Sequence, residues 1–341
     1  MVYRSKRKPD FNNLLKVLRR ERPTRPTLFE FFMNDSVYRE LAGDDFTPQG
    51  DKEDNWRLST LAFQNAGYDY ANIISTDFSF PAAKRERHST ISLNAGFVIT
   101  DWESYEKYIW PEPENFDDSR IDKLTPILPE GMQWIVWGPG GVLENVITLV
   151  GYDNLCIMTF EEPELVQRIF DDVGRRLLKY YKIALEHAGV GAIISNDDWG
   201  FNTQTMLSTE DMRKYVFPWH KKIVAAAHEK NRPVILHSCG NLARVIDDIA
   251  CDMKYDGKHS YEDNILPVEQ AYEAYHDKFA VMGGLDMDFV CRKTPAEIKD
   301  RARRMLERTD LRGGYALGTG NSVPEYVPHE NYYALISAAE E

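Results

Sequence analysis

Short apolar runs rich in β-branched residues alternate along this chain with longer stretches whose apolar positions recur at helical spacing. The runs predict strands over 27–32, 72–76, 133–137, 192–195, 233–237, 253–257, 279–282 and 314–317. The longer stretches predict helices over 11–20, 162–188, 209–229, 242–249, 266–275, 294–309 and 328–340. Local signals agree at two helix starts. Ser208, Thr209, Glu210 and Asp211 put cap oxygens and early carboxylates before one helix. Thr294-Pro295-Ala296-Glu297 forms a capping box with proline in the first turn. Strands alternating with helices build a parallel sheet, and eight such units predict a distorted (β/α)8 TIM barrel in a single domain, 1–341. Residues 78–130 break the rhythm. They are polar and aromatic, contain Pro81, Pro111, Pro113, Pro126 and Pro129, and read as an insertion after the second strand.

The 341 residues include 41 Lys+Arg and 54 Asp+Glu, a formal net charge of −13. That balance excludes a chain that holds nucleic acid through a basic surface, and it opposes an anionic membrane surface. No apolar stretch is long enough to span a bilayer. The basic start has no apolar signal core behind it, so a cytoplasmic protein is expected. The chain has 4 cysteines, too few for a disulfide framework, which agrees with a reducing compartment. Cys156 and Cys251 fall in helical surroundings and read as core fillers, while Cys291 starts the helix after the seventh strand. His187, His220, His228 and His276 lie on helices, His329 precedes the last helix, and His88 sits in the insertion.

Candidate chemistry collects where the strands end. The first strand carries Glu30, and the second runs into Asp77. Asn196, Asp197, Asp198, Trp199 and Phe201 follow the fourth. The fifth ends in His237, Cys239 and Asn241. The sixth runs on to His259, Ser260 and Glu262, the seventh to Asp286, the eighth to Asn321. In a barrel these C-terminal ends share one mouth, where active sites form. The spacing His237-x-Cys239 is the sharpest signal. Residues i and i+2 of a strand share a face, so imidazole and thiol stand about 7 Å apart along it, which reads either as half of a zinc site or as a small buried cysteine beside a hydrogen-bonded histidine.

The segment RPVILHSCGN, with AGVGAIISNDDWG, LSTED and YVFPWHKKI before or around it and MGGLDMDFV and GGYALGTGNSVPEYVPHENYYALISAA after it, resembles the uroporphyrinogen decarboxylase superfamily. The resemblance runs from RPTLFEFF at Arg25 to the last helix and is strongest beyond residue 150. It implies a distorted TIM barrel. It also implies one of two activities. Decarboxylases of the superfamily carry an arginine-rich segment after the first strand to bind a tetrapyrrole of many carboxylates. Here no arginine stands between Arg25 and Arg39, and Glu30 and Asp35 would repel such a substrate. Asp77 does match the decarboxylases' pyrrole-binding aspartate. The corrinoid-dependent methyltransferases hold zinc through His-x-Cys and a distant cysteine. His237 and Cys239 match the first two ligands, but Asn321 stands where the third is expected. Glu30, His259, Glu262 and Asp286 are the expected replacements.

The resemblance thus implies a methyltransferase acting between a small methylated substrate or thiol and a corrinoid protein. Zn2+ would be bound by His237 and Cys239. Asp77, Asp197, Asp198 and Glu262 would act as catalytic groups. Glu30, Trp199, Phe201, His259, Asp286 and Asn321 would line the substrate site. No cobalamin-binding segment is evident, so the corrinoid would arrive on a partner protein, and the family makes a homodimer plausible. A metal-free carboxy-lyase of the decarboxylase type is the alternative. A barrel that binds a small ligand without turnover is the second, and it would show ligand-dependent melting shifts alone.

Overall fold

The computed structural model describes residues 3–83 and 93–340. His88 and its neighbours in the insertion lie outside the described residues. Seven parallel strands, β1 Tyr70–Ile73, β2 Gln133–Trp137, β3 Val190–Asn196, β4 Val234–His237, β5 Gly257–His259, β6 Ala280–Met282 and β7 Tyr315–Ala316, pair strictly in chain order. β2, β3 and β4 begin and end within two residues of the expected runs. All seven residues of β3 are buried, as a strand covered on both faces must be. The architecture is an α/β, TIM-barrel-like single domain.

The expected first strand is not a full strand. Residues 27–33 touch the sheet through isolated bridges, Leu28 to Leu317 and Met33 to Val323. Phe29 N–H donates to Leu317 O at 2.8 Å, and Leu317 N–H donates to Thr27 O at 2.7 Å. Toward β1 the connection is made by side chains. Tyr70 Oη donates to Glu30 O at 2.7 Å and Asn72 Nδ2 to the carbonyls of Glu30 (3.1 Å) and Phe31. The barrel therefore closes with a backbone pairing on one side of this segment and a polar side-chain seam on the other.

The sixth expected strand is displaced toward the C-terminus. A π turn over Asp248–Asp252 occupies its approach, and Lys254 takes φ +63°. Asp256 then accepts Val234 N–H and pairs with His228 Nε2, both at 2.8 Å, so pairing begins only at Gly257. The helix expected over 209–229 contains a π turn at Met212–Val216, just before Pro218 at the head of Phe217–Glu229. Among the short helices the periodicity did not single out, Asp35–Ala42, Asp54–Ala66, Val142–Val150 and Tyr152–Glu161 pack on the first half of the barrel.

The amphipathic helix Phe11–Leu18 buries Phe11, Leu14, Val17 and Leu18 and closes the N-terminal end of the barrel. Gly257 makes room for it, since a Cβ there would stand 2.8 Å from Leu18. The described part of the insertion packs on the outside. Arg176, on the long helix Pro163–Ala184, donates to Pro111 O at 2.9 Å, pairs with Glu112, and lies over Trp110 at 4.7 Å. No helix among the described residues is long and apolar enough to cross a membrane.

Candidate metal centre at the barrel mouth

β3 and β4 run side by side with Asn196 in register with His237, so the loops that follow them meet. Gly240, at φ +84°, makes the meeting close. A Cβ on it would lie 2.2 Å from the backbone of Gly200. Across this contact Cys239 N–H donates to Asp198 Oδ1 at 2.9 Å. The result is a cluster of three donors. One donor atom each from Asp198, His237 and Cys239 all lie within 4.8 Å of one another. His237 Nε2 and Cys239 Sγ are 4.0 Å apart. Zinc bonds of about 2.0–2.3 Å at tetrahedral angles place ligand atoms about 3.3–3.7 Å apart, so a small inward movement would complete a shell.

The histidine is prepared for this role. Thr319 O can only accept, so His259 Nε2, 3.1 Å away, carries a proton. His259 Nδ1 is then an acceptor, and His237 Nδ1, 2.8 Å from it, is the donor. His237 Nε2 is left with its lone pair facing Cys239 Sγ. Burial pushes the His237 imidazole down to about 3, with Lys258 adding to the effect, and His259 is lowered by burial and by His237. Both rings are therefore neutral at physiological pH. Phe31 packs on His237 with centroids 4.5 Å apart, and Phe29 meets the edge of His259 at 5.2 Å. The sulfur also receives hydrogen bonds from Asn321 Nδ2 at 3.4 Å and Ser260 Oγ at 3.5 Å. Burial, then Asp198, pushes the thiol up to about 12, so the thiolate needs a nearby cation.

The other expected site residues are placed as follows. Asn321 stands at the sulfur as a donor. Glu30 is fully buried; its carboxyl meets Thr319 Oγ1 at 2.9 and 3.0 Å, and burial pushes it up to about 8. The Thr319 hydroxyl and the backbone N–H groups of Thr319 and Phe31 all donate to this carboxyl, and burial outweighs them in favour of the neutral acid. His259 lies behind His237 as its acceptor. Glu262 lies beside the cluster, accepting Gly240 N–H at 3.4 Å. Asp286 caps the helix Met287–Arg292 and accepts Asp263 N–H at 2.9 Å.

Asp197 turns away from the cluster. Its carboxylate accepts the N–H groups of Leu143 and Glu144, both at 2.9 Å, at the start of Val142–Val150 and pairs with His220 Nε2 at 2.9 Å. Trp199 is fully buried, with its ring packed against Phe217 and His220. Phe201 is partly exposed and meets Tyr152 edge-on. Asp77 is largely exposed and paired with the buried Arg120 and with Lys52. Of the four replacements expected for the third ligand, none joins the cluster; Asp198 does. β3 and β4 being neighbours in sequence order was the signal that could have selected it.

A cleft of about 740 Å³ opens beside the cluster, over the ends of β5, β6 and β7. Asn321, Glu262, Asp263, Asp286 and Asp288 line it with Tyr326, Arg292 and Lys293.

Residues 136–341, more than half of the chain, match the model of the family described as uroporphyrinogen decarboxylase (URO-D). The chain belongs to the uroporphyrinogen decarboxylase family. Its relatives include the uroporphyrinogen decarboxylases of Geobacter sulfurreducens, 25% identical over 186 residues (54% of this chain, 51% of that protein), and of Koribacter versatilis, 26% identical over 166 residues (48% and 45%). The chain thus spans about half the length of the curated relatives it matches. A methyltransferase from Methanosarcina mazei shares its fold, with TM-score 0.70 over 96% of this chain and 97% of that one at 17% identity. Membership in the uroporphyrinogen decarboxylase family agrees with the barrel and with a site at its mouth.

Proposed function

We propose that this chain is a methyltransferase that moves a methyl group between a small methylated substrate or thiol and a corrinoid carried on a partner protein, assisted by Zn2+. One observation carries the reading. A nitrogen lone pair, a thiol and a carboxylate converge behind Asn321, which lines an open cleft and bonds the sulfur, and a buried hydrogen-bond chain keeps that lone pair free. His237, Cys239 and Asp198 would hold the ion, leaving one position open. A bound zinc ion lowers the pKa of a thiol and withdraws charge from a leaving oxygen or nitrogen.

The chain's own residues do the rest. His259 orients the His237 ring and fixes its tautomer. Asn321 and Ser260 hydrogen-bond the sulfur and hold it toward the cleft. The packed rings of Phe29 and Phe31 keep water from the back of the site. The decarboxylase alternative fits the cleft less well, because Glu262, Asp263, Asp286 and Asp288 outnumber Arg292 and Lys293 and would repel a substrate of many carboxylates.

The test joins metal content to transfer. Wild-type protein is expected to carry near one zinc per chain, with His237→Ala, Cys239→Ala and Asp198→Asn each losing it. It is also expected to exchange methyl groups between methylcobalamin and a thiol or a methoxylated or methylamine substrate. A zinc-free wild type after supplementation, or no transfer with any corrinoid protein offered, rejects the proposal.

A further inference from the structure

β5 presents two different chemistries on its two faces. His259 faces the metal-ligating histidine. Lys258 faces the other way, between the barrel wall and the outer layer, and only 4% of it is exposed. Its ammonium group donates to Ser260 O at 2.7 Å and to Ser238 O at 3.4 Å, and it lies 4.4 Å from the centre of the Tyr261 ring. Among the described residues it forms no ion pair. Glu262 and Asp198 act on it only from beyond ion-pair distance, a buried cation without a direct partner is costly, and an ammonium group has three protons to place. Two carbonyl oxygens, one at the limit of hydrogen-bond distance, leave that demand incompletely met.

The same lysine lines a cavity of about 160 Å³. Leu242, Ile246, Ile265 and Leu266 give the cavity an aliphatic wall, and Ser260 and Glu262 line it together with Lys258. We propose that this cavity is a binding site for a small organic monocarboxylate, whose acid group pairs with Lys258 and whose apolar body lies against the four aliphatic side chains. The volume suits a body of about six carbons, since a cavity of about 150 Å³ holds benzene. Glu262 lines the same cavity and already offsets part of the Lys258 charge, so a ligand bringing a second carboxylate would add uncompensated negative charge and be repelled. An amine of the same shape would meet Lys258 and be rejected for the same reason.

The site is separate from the metal cluster but shares its loops. Gly240 lines the cavity and follows Cys239 directly. Ser260 lines the cavity through the same residue whose hydroxyl reaches the sulfur. Lys258 already ties the carbonyls of Ser238 and Ser260 together. An occupant therefore braces the two loops that carry the sulfur and its hydrogen-bond donor. The inference stands on Lys258 and its cavity and does not depend on methyl transfer.

The test is a calorimetric titration of the full chain with butyrate, isovalerate and benzoate, and with glutarate and butylamine as controls. It is run on protein as purified and again after chelation, because a carboxylate can also bind a metal directly. The expected result is saturable binding of at least one monocarboxylate in both preparations, with neither control binding. Lys258→Met should weaken it about tenfold or more. Leu266→Phe, which keeps the lysine and fills space along the aliphatic wall, should abolish it; circular dichroism checks that both variants fold. Binding that disappears on chelation, that survives both substitutions, or that no monocarboxylate shows in the wild type overturns the assignment. None of these outcomes bears on zinc content, which is measured independently.

Discussion

His259 stands behind His237 with the two Nδ1 atoms 2.8 Å apart, and the carbonyl of Thr319 decides which of them carries the proton. A metal-binding histidine with its far nitrogen held in this way keeps one tautomer and one ring orientation. His259→Phe would preserve the ring packing against Phe29 and remove the acceptor. Zinc affinity should fall about 10–100-fold, the usual effect of losing such a partner. Competition with a chromogenic chelator measures it, and an affinity equal to the wild type would remove His259 from the site.

Adjacent aspartates should behave differently. Asp197 is buried on a helix N-terminus and on His220, whereas Asp198 faces the ligand cluster. Asp197→Asn should cost on the order of 2–4 kcal/mol in urea unfolding, since it weakens a cap and a buried pair together. It should leave the stoichiometry of zinc intact. Asp198→Asn should give the opposite pattern, near wild-type stability with zinc lost. The same phenotype for both would mean that the two carboxylates do not divide the work.

Glu30 links stability to pH. Its acid group is raised from 4.5 to about 8 because burial disfavours its charged form. The folded state therefore holds a proton that the unfolded chain has lost, across roughly pH 4.5–8. In that window folding stability falls as pH rises, by on the order of a few kcal/mol in all, and levels off above it. Glu30→Gln is neutral at every pH and can still accept from Thr319. Melting curves collected from pH 5 to 9 should show a flatter profile for the variant and a higher melting temperature than wild type at the alkaline end. Parallel profiles would show that Glu30 is not buried as an acid.

Gly240→Ala tests the contact between the two loops. The added methyl would meet the backbone of Gly200, and φ +84° is unfavourable for alanine. A loss on the order of 1–3 kcal/mol is expected. Because this contact carries Asp198 to Cys239, zinc affinity should drop with it. Intact zinc binding in a destabilised variant would separate the loop contact from the site.

How far the chain could be read from residues alone differs from place to place. β2, β3 and β4 are rich in β-branched or aromatic residues and largely buried on both faces, so their composition marks them. β5 was misplaced because its approach has no such run; Asp256, whose carboxylate holds Val234 N–H and the His228 side chain, immediately precedes it. His237 and Cys239 were visible because a strand puts alternate residues on one face. Asp198 belonged to the same mouth, but only the pairing of β3 with β4 tells it from Asp197, one residue away and turned to the opposite side. Lys258 left no signal at all, since a lone lysine in a strand ordinarily faces solvent.

The closure of the barrel has a mechanical consequence. Between β2 and β3, or β3 and β4, every backbone bond is one of a row, and the row resists separation as a unit. Between residues 27–33 and β1 the work falls to Tyr70 and Asn72. Two side chains bend and rotate more readily than a backbone ladder, so the wall's compliance is concentrated at this one line. Phe31 rides on its movable edge while packed against His237. The wall can therefore yield next to His237 without unpairing a single strand.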